Sequence, residues 1–80
     1  MNADLIKQFI EQELNDEVRG VLWTALAQRS PSKVLDRFDF NRFEVVIDYE
    51  NALVRIADDL DVSSAGTAEI PLEQLRRLVE

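Results

Sequence analysis

Apolar residues recur at helical spacing twice in the first third of the chain. Leu5, Ile6, Phe9, Ile10 and Leu14 form one stripe, and Asn2 can cap the helix that carries it. Asn15 can cap a second helix, with Asp16 and Glu17 in a first turn where the helix dipole favours acids. Its apolar face is Val18, Val21, Leu22, Ala25 and Leu26. Gly20, Thr24 and Ala27 lie opposite, small enough to admit a close neighbour, and Trp23 sits at the edge of the stripe. There it serves either as peripheral core or as a contact anchor, since aromatics at exposed edges are typical hot-spot residues. Ser30-Pro31 then reads as a helix start, with proline at the first helical position. A short third helix over residues 31–37 would present Val34, Leu35 and Phe38. Phe38, Phe40 and Phe43 break that period and suit a helix-to-sheet junction.

From residue 43 the pattern changes to alternation. If Glu50-Asn51 is a two-residue turn, Tyr49 pairs with Ala52, Asp48 with Leu53, Ile47 with Val54, Val46 with Arg55 and Val45 with Ile56. One face is then apolar throughout: Phe43, Val45, Ile47, Tyr49, Ala52, Val54 and Ile56. The other carries Glu44, Asp48 and Arg55, as a solvated face should. The rival is a helix from Asp48 with Tyr49, Ala52, Leu53, Ile56, Ala57 and Leu60 on one stripe. It leaves the β-branched run Val45-Val46-Ile47 without a role, which favours the hairpin even though Glu-Asn is a poor turn pair. After Asp61 the run VSSAGTA is a loop, Ala68-Glu69-Ile70 can add a short third strand, and Pro71 opens a last helix with Leu72, Leu75, Leu78 and Val79 inward. The expected architecture is α+β in a single small globular domain, 1–80. It has two to three N-terminal helices, an antiparallel hairpin or meander over about 42–58 (possibly with 68–70) and a C-terminal helix.

Composition sharpens this picture. The 80 residues are 46% hydrophobic and 31% charged, a globular balance with no low-complexity tract. No apolar run reaches the ~20 residues of a membrane helix. The N-terminal stretch has acids where a signal peptide needs bases, which points to the cytoplasm. There is no cysteine, so no disulfide, in keeping with a reducing compartment. The net charge is −7, and six of those charges fall in residues 44–69, where Glu44, Asp48, Glu50, Asp58, Asp59, Asp61 and Glu69 face Arg55 alone. Such a surface repels nucleic acid and anionic membranes and attracts basic proteins or cations, although acidity also serves solubility.

The chemistry on offer is narrow. Without histidine or cysteine, most nucleophile–base pairs and the commonest transition-metal ligands are absent, and no Gly-rich phosphate loop is present. The expectation is no enzyme and no cofactor. The run from Asp59 begins like a calcium loop, with oxygen ligands at alternate positions, but its sixth position is Ser64 where glycine is needed and its twelfth is Ile70 where glutamate is needed. Asp59-Leu60-Asp61-Val62-Ser63-Ser64 also faintly resembles the segment of acyl carrier proteins in which a serine carries the phosphopantetheine arm. Ser63 and Ser64 would be the candidate sites, but the acidic helix that should follow is replaced by Ala-Gly-Thr-Ala.

A further resemblance covers residues 43–80. The stretch FEVVIDYENALVRIADDLDV, a polar loop and EIPLEQLRRLVE resemble small acidic immunity proteins of bacterial contact-dependent and other polymorphic toxin systems. What the resemblance implies is a cytoplasmic inhibitor that blocks a basic toxin, often a nuclease, without contacting nucleic acid or membrane itself. Asp58, Asp59, Asp61, Glu44, Asp48 and Glu50 would face the basic partner, and Trp23 or Tyr49 would anchor the contact. The chain would act as a monomer or weak dimer. Two other classes stay open: a small acidic regulator or adaptor acting on the transcription machinery or a DNA-binding protein, and an acyl-carrier-like protein.

Overall fold

The computed structural model describes residues 3–28, 31–60 and 66–80. Two helices, α1 (Ala3–Gln12) and α2 (Asp16–Ala27), precede four strands: β1 (Leu35–Asp39), β2 (Phe43–Asp48), β3 (Leu53–Asp58) and β4 (Thr67–Pro71). A final helix, α3 (Leu72–Val79), closes the chain's described part. The strands form one antiparallel sheet in sequence order, β1-β2-β3-β4, so the fold is α+β as expected.

Strand alternation sorts the residues onto two faces. Phe43, Val45 and Ile47 of β2 and Val54 and Ile56 of β3 are fully buried beneath the helices, beside Ala68 and Ile70 of β4. Phe9 and Leu22 reach them from α1 and α2, and Leu75 from α3. Each large side chain removed from water here contributes about 1.5–3 kcal/mol before entropy is counted. Phe9 and Phe43 meet edge to face, with ring centroids 5.6 Å apart. α1 and α3 lie over β3 and β4, and α2 packs against α3. The β1 side of the sheet therefore has the least cover.

The two hairpin strands pair in the expected register from Asp48↔Leu53 through Val45↔Ile56, which excludes the rival helix from Asp48. The turn differs. Tyr49 and Ala52 are not a ladder pair, and Tyr49 to Ala52 form a four-residue connection. Asp48 supports it by accepting from the Asn51 backbone N–H at 3.1 Å and from Asn51 Nδ2 at 2.8 Å. Ala52 takes φ 55, a left-handed conformation that suits glycine better. Its carbonyl accepts the Leu72 N–H at 2.9 Å, which ties the turn to the start of α3.

The third N-terminal helix expected over 31–37 is not formed. Leu35–Asp39 is β1, paired with β2 from Leu35↔Asp48 to Asp39↔Glu44. The physical reason lies in the β2 edge: as a strand, this segment satisfies a row of backbone groups and lays Phe38 beside Val45. The helices end much as anticipated. Asn15 caps α2, its side chain accepting from the Val18 N–H at 2.9 Å. Pro71 is the cap of α3 rather than its first residue, and no side chain caps that helix. The proposed Asn2 cap lies outside the described residues.

Candidate protein-interaction site

The acids expected to form one patch are divided among different parts of the sheet. Glu44 and Asp48 point to the open face, four residues apart and so about 13 Å along the strand. Glu44 is held by Arg37 through Nε and Nη2. Asp48 is engaged in the turn, and its hydrogen bonds from Asn51 hold its carboxyl below the usual range. Glu50 is exposed at the tip of that turn, and Asp59 is exposed at the far end of the hairpin. Asp61 lies outside the described residues, as do Ser63 and Ser64, so neither the calcium-like loop nor the carrier serines acquire a geometry. Among the described residues no three metal-ligating side chains come together.

Asp58 departs most from expectation. It points to the helix-covered face, where its residue is only 5% exposed. Arg42 grips it with two parallel bonds, Nε to Oδ1 at 3.0 Å and Nη2 to Oδ2 at 2.8 Å, and the Leu60 N–H adds a third at 2.9 Å. Arg42, outweighing burial, keeps the Asp58 carboxyl below the ordinary carboxylate range. The same guanidinium donates from Nη1 to Gln12 Oε1 at 2.8 Å and lies 5.4 Å from the centre of the Phe43 ring. Asp58 is thus part of a clamp that joins the sheet to the end of α1. It is not a free charge on the surface.

Two grooves flank α2. The first, about 560 Å³, runs between α2, α3 and the β2–β3 turn, with Trp23, Leu26, Tyr49, Ala52, Leu72 and Arg76 among its lining residues. Trp23 is 46% exposed there, an edge aromatic as the helical wheel suggests. Tyr49 is buried, as its place on the apolar face of the hairpin demands. Its hydroxyl donates to Asp36 Oδ2 at 2.7 Å and lies 3.4 Å from the Ala25 carbonyl, so it links β1 to α2.

The second groove, about 750 Å³, lies between α2 and β1 and was not anticipated. Asp16, Glu17, Gly20, Val21 and Thr24 form its helical wall, and Asp36 and Phe38 its floor. An added Cβ at Gly20 would meet nothing within 4 Å, so the small-residue face of α2 borders open space rather than a close neighbour. Asp36 is paired with Lys33 Nζ at 2.7 Å. Burial raises the Asp36 pKa, but the bonds from Lys33 and Tyr49 outweigh it and leave the carboxyl below its ordinary value. Seeing this groove in advance required knowing that 35–39 is a strand; the only sequence signal was the Gly20/Thr24 face.

No family model, curated protein or solved structure matches the chain.

Proposed function

We propose that this protein binds and inhibits a basic protein without catalysing a reaction, in the manner of an immunity protein acting on its toxin. The observation that carries this reading is Trp23, half-exposed in a groove of mixed apolar and charged lining beside the acidic β2–β3 turn. A tryptophan so placed loses much water-exposed apolar surface when a partner covers it. Glu50, at the tip of the adjoining turn, attracts cationic side chains to the rim. The net charge of −7, with Asp59 and Glu44 at the other end of the hairpin, steers a basic partner from a distance. Steering of this kind speeds association by roughly 10 to 10³ fold and weakens as salt rises. Asp58 takes no part in the contact, because Arg42 already occupies it.

The test is capture at low salt from a lysate of cells that make the chain, with wild type, Trp23→Ala and Glu50→Lys run side by side. Wild type is expected to retain one basic protein, released by rising salt, whose activity falls on 1:1 addition of this chain. Trp23→Ala should lose the partner through faster dissociation and Glu50→Lys through slower association. The reading fails if the retained protein is unaffected in activity, or if folded Trp23→Ala retains it as well as wild type does.

A further inference from the structure

β1 is an outer strand of the sheet, with β2 on one side and no described strand on the other. Its backbone phase follows from two hydrogen bonds: Tyr49 N–H to the Val34 carbonyl at 3.0 Å, and Phe40 N–H to the Phe43 carbonyl at 2.9 Å. In an antiparallel ladder, hydrogen-bonded residues alternate along the strand. Val34, Asp36, Phe38 and Phe40 therefore turn their backbone groups toward β2, and Leu35, Arg37 and Asp39 turn theirs outward. Among the described residues nothing pairs with that row of N–H and C=O groups, which is a template for another strand.

The side chains indicate which strand fits. On the open face Asp39 stands directly opposite Glu44, an unfavourable like-charge pair. Arg37 answers Glu44 with Nε and Nη2, and among the described residues its Nη1 has no hydrogen bond. Among the described residues no hydrogen bond or ion pair engages the Asp39 carboxylate. One strand thus displays, two residues apart, a cation that Glu44 engages along one edge and an anion that Arg37 influences only at longer range, a self-complementary arrangement.

We infer that β1 pairs antiparallel with β1 of a second copy about a two-fold axis at Phe38, joining two sheets into one. The outward phase requires odd-numbered residues to face odd-numbered ones, which limits the registers. Axes at Asp36, Arg37 or Asp39 set each of those charges against its own copy, and an axis at Leu35 sets Lys33 against the second copy's Arg37. With the axis at Phe38, Arg37 faces the second copy's Asp39 twice over, and the two Phe38 rings meet on the helix side. A two-fold normal to the sheet keeps both helical layers on one side. The two α2–β1 grooves then merge above the Phe38 pair, and Val21, 39% exposed in a single copy, forms part of their wall. This interface does not use Trp23 and stands independently of the toxin-inhibitor reading.

Each copy carries −7, so long-range repulsion opposes the dimer and added salt relieves it. That is the opposite salt response from capture of a basic partner. The test is sedimentation velocity of the purified chain from micromolar to millimolar concentration at physiological salt, with melting curves for every variant. Wild type is expected to shift from monomer to dimer with concentration. Arg37→Asp and Asp39→Arg each oppose like charges and should weaken association on the order of tenfold. The double variant R37D/D39R restores opposite charges at each facing position and should restore the dimer. Slowed amide exchange at Leu35, Arg37 and Asp39 at high concentration is a second expected sign. A wild type monomeric at millimolar concentration overturns the inference. So does a dimer indifferent to both single changes, or a folded double variant no better than the singles.

Discussion

α2 and α3 pack against each other, yet they use their apolar residues in different ways. The eight residues of α3 bury Leu75 and Val79 and tuck Leu72 and Leu78 against the same core, leaving Glu73, Arg76 and Arg77 in water. The twelve residues of α2 bury Val18 and Leu22 and tuck Leu26 against the core, while Val21 and Trp23 stand 39% and 46% exposed on opposite flanks. α3 is held by burial and by the Leu72 N–H bond to the Ala52 carbonyl, without a side-chain cap. α2 relies more on its own Asn15 cap and on the Tyr49 hydroxyl. The amphipathic helix is matched to its own core. The helix that is apolar on several sides leaves part of that surface outside its own core, where it borders both grooves.

Substitutions can break or sharpen that contrast. Leu75→Ala removes the central contact of α3 and should cost about 2–5 kcal/mol in chemical denaturation, the largest effect expected here. Asn15→Ala should cost about 1 kcal/mol and lower helicity mainly in α2. Tyr49→Phe should also cost about 1 kcal/mol at neutral pH by freeing Asp36 and Ala25. Because Asp36 has a lowered pKa when folded, its contribution is present above the ordinary value of 3.8 and lost as pH falls through the lower folded value. The gap between wild type and Tyr49→Phe should therefore narrow in acid, as pH-dependent unfolding would show. Ala52→Gly should raise stability by about 0.5–1 kcal/mol through relief of the left-handed backbone that anchors α3. Trp23→Ala should change stability by about 0.5 kcal/mol or less while abolishing partner capture. A large stability loss there would make α2 an ordinary core helix and erase the contrast.

Much of this fold was legible because burial writes a period into the sequence. Val45 and Ile47 alternate against Val54 and Ile56 so regularly that a single register buries all of them, and the structure adopts it. β1 was illegible for the converse reason. Its inward positions are Asp36 and Phe38 and its outward ones Leu35, Arg37 and Asp39, so alternation carries no hydrophobic signal. Pro31 followed by Val34, Leu35 and Phe38 suits a helix equally well, and only the pairing demand of β2 decides against it. Trp23 was placed at an edge correctly by helical geometry. The acidic patch was not, since charge counts along a chain do not say that Asp58 turns inward to Arg42, or that Glu44 and Asp48 already have partners.

Every strand of the sheet neighbours its predecessor in sequence, but α1 rests on β3 and β4. During synthesis Leu5, Ile6 and Phe9 therefore leave the ribosome long before the surface that covers them exists. A helix of ten residues is too short to persist alone in water. The hairpins can zip locally as they are made, whereas the closing contact waits for β4. Folding is thus coupled to completion of the sheet: a truncated or stalled nascent chain that lacks β4 leaves the α1 stripe exposed to chaperones and proteases rather than yielding a partly competent protein.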